Sequence, residues 1–410
     1  MLRPTVGIGD GARAARRSLL RTILNWRRRC LESDPIVTSS PPVLDALVIG
    51  AGPAGIGTAL ALAAVEDLTF GVLERGQIGQ TFLDWPAQQT FLTPSFTGNG
   101  FGATDLNAVH PETSPAFSLG TDYLAGGQYA KYLRSVVKHF RVPVMGDAEV
   151  EAVQRRGDEF EVFSARGPVR ARSLVWAGGE FSHPLAPRIP GAGLTVHSRD
   201  AEAWRERRGE LVVIGGYESG IDIACHHVAG GATVTVVDGE HPWDAQTGSD
   251  PSFRLAPRSR MRLNVALSTG RLRLVDARAV GVKRDGDGNG YVVRLGDGET
   301  LRSEEGPIAA TGFGAGLGPV EHLFDARPDG WPELDEDDQS TLTPGLFLSG
   351  PAVRHGGLKF CFVYKFRQRF AHIARVIGER AGKDTGALEM WRTAGMLTDD
   401  LSCCGVECAC

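Results

Sequence analysis

The sequence predicts an α/β protein: two Rossmann-like dinucleotide-binding units, the second inserted into the first, each with a small β-meander. Three observations predict it. Leu47–Ile49 is a short apolar run, as a strand buried on both faces requires, and it leads straight into Gly50, Gly52 and Gly55 at G-x-G-x-x-G spacing. The pattern restarts at Leu211–Ile214, where Gly215 and Gly220 repeat the first and last of those glycines. Each copy then closes alike. An acid, Glu74 or Asp238, ends a second apolar run, and Ala177-Gly-Gly or Ala310-Thr-Gly ends a β-rich tail.

Each part of the first copy has a physical task. Gly50 permits the tight turn, Gly52 lets the backbone approach a pyrophosphate, and Gly55 lets helix and strand pack closely. Pro53 and Ala54 open an alanine-rich helical segment through Ala64, whose N-terminus faces the phosphates. Phe70–Leu73 is the second apolar run, and Glu74, followed by Arg75, stands where the ribose hydroxyls are read. The loop Asp84–Ser118 is too long for an ordinary connection, and it is expected to shape a substrate pocket. Tyr129–Phe140 has helical spacing, and Val144–Ala177 reads as short β segments.

In the second copy Gly215 and Gly216 make the turn, Glu218, Ser219 and Gly220 begin the helix, and Asp238 closes Thr233–Val237. Tyr217 replaces the middle glycine. A side chain there crowds a pyrophosphate lying on the turn, so either the dinucleotide rides higher, or Tyr217 moves aside and stacks on it; a degenerate unit without ligand is the plainer alternative. Asp238 favours the free 2′-hydroxyl of NADH, while Arg254, Arg258 and Arg260 downstream are placed to reach a 2′-phosphate.

Composition narrows the class. The 410 residues are 42% hydrophobic and 23% charged with net charge −5, which gives no reason to propose nucleic acid. No run reaches the roughly eighteen apolar residues of a membrane span. Three of the seven cysteines, Cys30, Cys225 and Cys361, lie far apart, so no disulfide framework is expected and a cytoplasmic setting is the default. Residues 1–43 read as a basic extension outside the fold. Arginines within 13–29 permit peripheral membrane contact or a transit peptide, against a plain disordered extension.

Several segments together resemble the flavin-containing monooxygenase and thioredoxin-reductase-like group of bacterial, single-component oxidoreductases with two dinucleotide sites. The resemblance runs from about Leu44 to Ile377. It rests on the first glycine motif with Glu74, and on Gly79-Gln80-Thr81-Phe82, which is similar to a Gly-Gly-Thr-Trp segment beside the flavin. It rests also on Ala177-Gly-Gly and Ala310-Thr311-Gly312, similar to paired Ala-Thr-Gly crossovers, and on Thr343–Gly350, similar to the closing strand. The His197-Ser198 segment resembles part of the monooxygenase fingerprint, with Gly191 where its leading Phe stands; Pro351 follows Gly350 where the group has an acid.

The resemblance implies FAD on the first unit and NAD(P)H on the second. It divides the chain into 44–198 and 309–385 for FAD, 199–308 for NAD(P), and a cysteine-rich tail at 386–410. The expected activity is that of an FAD-dependent NAD(P)H oxidoreductase, most like a flavin monooxygenase acting on a small organic substrate, with a homodimer left open. A thiol or disulfide oxidoreductase using tail cysteines is the first alternative, and a non-catalytic flavin- or metal-binding sensor the second.

Chemistry separates these candidates. A thioredoxin-type reductase needs two sulfurs within bonding reach beside the flavin, and the chain body has no such pair. Cys225 reads as a core residue. A monooxygenase asks mainly for a dry pocket. The resemblance places His355 and Lys359 near the flavin ring as candidate catalytic residues, with ordinary loop residues the equal alternative. Phe362, Phe366 and Phe370 read as a core stripe, with Lys365, Arg367 and Arg369 on a solvated face. In the tail, Cys403, Cys404, Cys408 and Cys410 suit a soft metal such as Zn²⁺ or Cu⁺, an electron shuttle, or an inert end.

Overall fold

The computed structural model describes residues 43–245, 250–286 and 288–401. The basic extension and the four tail cysteines therefore lie outside the described residues. Two parallel sheets organise the chain. In the first, β1 (Leu44–Ile49) lies parallel between β2 (Phe70–Leu73) and β6 (Gly167–Trp176), with β3 (Val144–Met145) beyond β2. Besides β1, strand β6 meets two partners along its other edge. Its first residues close an antiparallel meander with β4 (Val150–Arg156) and β5 (Glu159–Ser164), while Leu174–Trp176 pair parallel with β15 (Leu346–Leu348). β1 and β2 are apolar almost throughout because helix α1 (Pro53–Ala64) and its neighbours cover the sheet, leaving Leu47, Val48 and Val72 with no exposure.

The second sheet has the order β10-β9-β8-β14-β7, all parallel. Its strands are β7 (Val196–His197), β8 (Glu210–Ile214), β9 (Thr233–Val237), β10 (Leu272–Val275) and β14 (Ile308–Ala309), and an antiparallel meander of β11 (Ala279–Arg284), β12 (Tyr291–Leu295) and β13 (Thr300–Ser303) stands beside it. Leu272–Val275 extends the parallel sheet beside β9 and is not part of the antiparallel meander. Between these elements lie α2 (Gly126–Phe140), α3 (Glu218–Ala229), α4 (Pro257–Ser268) and α5 (Phe370–Arg380).

The long loop after Glu74 is held from within. Asp105 accepts from the Asn107 and Ala116 amides and the Ser114 hydroxyl, and the Asn107 amide group donates to Thr93 O and Ser95 Oγ. One expectation is corrected here: Arg367 and Arg369 are not solvated. They are 5% and 1% exposed, because the chain from Val363 passes through a short helix and a 3₁₀ turn before α5, and this breaks the i, i+4 face. Arg369 Nε donates to Asp338 at 2.7 Å, Arg367 donates to the carbonyls of Asp105 and Ala108, and Lys365 is ion-paired with Asp250. Phe366 and Phe370 are buried as the stripe requires.

Candidate functional site

The two glycine turns are near-copies. Gly50 and Gly215 have φ of +103° and +102°, and a β-carbon on either would lie 2.4 or 2.3 Å from a crossover carbonyl, Ala177 O or Ala310 O. Gly55 and Gly220 face the carbonyl of the first glycine at 1.8 and 1.9 Å in the same sense, so only glycine closes either turn. The acids act alike as well. Glu74 Oε2 accepts from Ala51 N at 2.6 Å, and Asp238 Oδ2 accepts from Gly216 N at 2.7 Å. Each carboxylate pins its turn by fixing the amide that follows the first glycine.

The turns differ in what lies above them. At Gly52 a β-carbon would meet nothing within 4 Å, and no side chain caps the N-terminus of α1. That leaves room and free amides for an anion. At the second turn, Trp243 covers Gly216, with its ring carbon 2.3 Å from where a β-carbon would stand. Tyr217 is moved aside: its hydroxyl donates to Pro251 O and Arg254 O, both at 3.0 Å. Glu218 is committed to Ala256 N and the Ser259 hydroxyl, and burial raises its carboxyl above the ordinary range.

One cleft of about 660 Å³ runs between the two turns. Of the residues expected from sequence, Gly50, Gly52, Pro53, Ala54, Glu74, Arg75, Gln80, Thr81 and Phe82 line one part, and Tyr217, Glu218, Ser219 and Gly312 another. The other expected residues stand behind the wall. Gly55, Gly215, Gly216 and Gly220 are packed beneath the turns, Asp238 is occupied by the Gly216 and Glu240 amides, Thr311 donates to Leu185 O, and Gly350 lies against Ala54. His355 and Lys359 are also outside the cleft lining. His355 Nε2 is 2.5 Å from Asp338 Oδ1, and the Lys359 ammonium lies 4.4 Å from the Phe253 ring centroid. Their hairpin, Arg354–His355 against Leu358–Lys359, turns them away from the cleft.

The residues of that region that do reach the cleft are Arg354 and Cys361. Arg354 is 7% exposed and stacks 4.0 Å from the Trp331 ring centroid. Its Nη1 donates to Pro351 O and Val353 O, its Nε has no acceptor, and among the described residues no carboxylate forms an ion pair with it. Burial lowers its affinity for a proton. The Cys361 thiol donates to Ser252 Oγ at 3.1 Å, and Lys365 Nζ donates to the same oxygen at 2.8 Å. Cys225 is buried in the core of the second unit, where desolvation pushes its thiol up to about 11.

Glu180, three residues beyond Ala177, is a wall residue that the sequence did not single out. Desolvation raises its carboxyl to about 7, with nearby Arg354 opposing the rise. Its one sequence signal is an acid placed directly after Ala177-Gly-Gly. Aromatic rings make much of the remaining wall, with Phe82 stacked on Phe91 and Phe181 on Phe313. Among the described residues no group of three or more His, Cys, Asp or Glu side chains could hold a metal ion, and no helix is long and apolar enough to cross a membrane.

Residues 47–350 match the family described as pyridine nucleotide-disulphide oxidoreductase. The chain belongs to that family. Within this oxidoreductase family, the bacilliredoxin reductase Bdr of Bacillus subtilis is 23% identical over 343 residues, covering 82% of this chain and 98% of that protein. Among solved structures, the bacillithiol disulfide reductase Bdr of Staphylococcus aureus aligns with a TM-score of 0.67 at 19% identity over 82% of this chain and 98% of that one. A flavin-containing monooxygenase from Stenotrophomonas maltophilia aligns with a TM-score of 0.63 at 18% identity over 83% and 99%. At such identities these structures share the fold, and disulfide reductases and monooxygenases stand side by side on it.

Proposed function

We propose that this pyridine nucleotide-disulphide oxidoreductase family member is an FAD-dependent NAD(P)H oxidoreductase, monooxygenase-like in type, acting on a small organic substrate. The observation that carries the reading is the continuous cleft between the two glycine turns, which would let a nicotinamide and a flavin meet. The first turn suits FAD. There is open space over Gly52, the α1 N-terminus is free of side-chain caps, and Arg354 is a buried cation with no anionic partner within ion-pairing distance among the described residues. The nicotinamide dinucleotide would enter over Tyr217, Glu218 and Ser219, with Tyr217 already clasped aside; Asp238 accepts from the Gly216 and Glu240 amides and is not among the cleft-lining residues, so it is not assigned the choice between NADH and NADPH. We assign residues 44–198 and 309–385 to the FAD unit and 199–308 to the NAD(P) unit.

Bound FAD would supply two-electron chemistry, accepting a hydride and passing electrons on. The chain's own residues orient and shelter it. Glu74 fixes the phosphate turn, the aromatic wall keeps water out, and Arg354 offsets negative charge in the cleft. A dithiol relay has no support among the described residues, where Cys361 is the one cysteine on the wall. The second reading, a disulfide reductase, is favoured by that thiol and by the relatives that reduce disulfides.

The test is to load purified protein with FAD and reduce it anaerobically with NADH or NADPH. The reduced protein is then exposed either to air or to a small symmetrical disulfide such as cystine. Rapid reoxidation by air, with NAD(P)H consumption tracking oxygen uptake, supports the oxygen-using reading. Reoxidation by disulfide alone supports the second, and no bleaching with either nucleotide overturns both.

A further inference from the structure

We propose that Glu180 is the acid–base group of the cleft, giving up and regaining the proton that accompanies hydride transfer between NAD(P)H and FAD. The proposal rests on the cofactor reading above. Five carboxylates line the cleft: Glu74, Glu149, Glu180, Glu218 and Asp222. Four have other employment or none that needs the cleft. Glu74 accepts from Ala51 N and Gly76 N, Glu218 from Ala256 N and Ser259 Oγ, and Asp222 is ion-paired with Arg262. Glu149 is exposed. Glu180 is the half-buried carboxylate of the five whose side chain makes no hydrogen bond among the described residues, and desolvation on the cleft wall raises its carboxyl.

Its position suits the task. Glu180 sits on the first crossover, where the two units are stitched together: Leu185 N donates to Gly312 O at 3.0 Å, Gly314 N donates to His183 O at 2.9 Å, and Phe181 stacks on Phe313 at 5.4 Å. The carboxyl therefore stands between the two glycine turns. The cations on the same wall are Arg354 and Arg75; the other titratable groups there besides the carboxylates are His183, whose affinity for a proton burial lowers, Tyr217 and Cys361. Arg354 is the one whose charge reaches Glu180, and it acts to lower the carboxyl's affinity for a proton. Burial and Arg354 oppose each other and leave a group that exchanges its proton near neutral pH.

The bookkeeping of the step is simple. A hydride carries two electrons and one proton from NAD(P)H to FAD, leaving NAD(P)⁺. Full reduction to FADH₂ needs one more proton, which the Glu180 carboxyl donates; water returns it to the carboxylate, and Arg354 holds the negative charge meanwhile. The net reaction is NAD(P)H + FAD + H⁺ → NAD(P)⁺ + FADH₂.

Two measurements on the purified protein test this. Infrared titration from pH 5.5 to 8.5 should show a protonated-carboxyl band disappearing with a midpoint near neutral. The band should be absent in Glu180→Gln, retained in Glu149→Gln, and moved to higher pH in Arg354→Gln. In flavin-loaded protein, the midpoint potential should change its pH dependence near the same midpoint, and Glu180→Gln should remove that change and slow anaerobic flavin reduction at pH 7 by about 10²-fold, as loss of a general acid does. Should Glu180→Gln fail to fold, Glu180→Asp replaces it and should shift the band midpoint. A band that survives in Glu180→Gln, or a potential and reduction rate indifferent to that substitution, overturns the proposal. Protein that shows the band but binds no flavin overturns the cofactor reading, and the proposal with it.

Discussion

Gly52 and Gly55 stand three residues apart in one motif and are glycine for different reasons. A β-carbon at Gly55 would lie 1.8 Å from the Gly50 carbonyl, whereas one at Gly52 would enter open space. Gly55→Ala should therefore disrupt the turn itself and yield protein that is insoluble or unfolded. Gly52→Val should leave the flavin-free melting temperature nearly unchanged, since substitutions that touch nothing shift stability by about 0.5 kcal/mol or less. The same variant should bind FAD at least about tenfold more weakly, because the side chain occupies the approach that a pyrophosphate needs. Thermal melts paired with flavin titration check both, and a Gly52→Val protein that binds FAD normally would remove the first turn from the cofactor site. At this scale the sequence was legible where a residue's role is local: the glycine spacing predicts both turns, and each acid falls where its turn needs it. It was illegible where the role is tertiary. Glu180 and Arg354 look like ordinary charged residues until burial removes their water, and Arg369 looks solvated until Asp338, 31 positions away, is brought against it.

That last pair anchors an element, the return of the chain from β15 to α5. Asp338 is fully buried with φ of +62°, and accepts from Arg369 Nε at 2.7 Å and lies 2.5 Å from His355 Nε2. Burial by itself would raise its carboxyl, but Arg369 and His355 outweigh that and hold it below the usual range. Arg369 also donates to Thr398 O, tying the C-terminal end of the described chain to the same point. Arg369→Leu leaves the carboxylate with His355 alone and should cost about 3–5 kcal/mol, as breaking a buried pair does. Urea unfolding should show this as a lowered midpoint, and Asp338→Asn added to Arg369→Leu should recover part of the loss, because the uncompensated charge is gone. The lock also explains why His355, a candidate for flavin chemistry on sequence alone, has no place in the cleft. His355→Gln should lower stability while leaving anaerobic flavin reduction by NAD(P)H within about twofold of the parent. A reduction rate that collapses with stability intact would restore His355 to the reaction.

Across the whole molecule, buried titratable groups set how stability responds to pH. The first unit buries His110 and His372 and the second buries His227, and desolvation lowers the proton affinity of each. His110 lies between the Phe140 and Trp391 rings at 4.3 and 5.2 Å, and His227 Nε2 in α3 donates to Ala203 O at 2.8 Å. Desolvation lowers both to about 4, helped at His110 by His139. Their ordinary value is 6.5, so between 6.5 and 4 the unfolded chain binds more protons than the folded one. Their contribution is complete above about pH 6.5 and is lost progressively as pH falls toward 4. Glu180 works the other way. Its folded value of about 7 lies above the ordinary 4.5, so its contribution is complete below 4.5 and is lost as pH rises through 7; Glu218, also raised by burial, acts in the same sense. Opposed groups thus share one window, and the slope of melting temperature against pH between 4.5 and 7 is their difference. His110→Phe keeps an aromatic ring in the slot between Phe140 and Trp391 and removes one proton-binding site, so it should flatten the acid loss. Glu180→Gln removes an opposing group, so it should steepen it. Melting curves across that range decide the matter: two variants that change the slope in the same direction would show that at least one of these groups does not titrate as its burial requires.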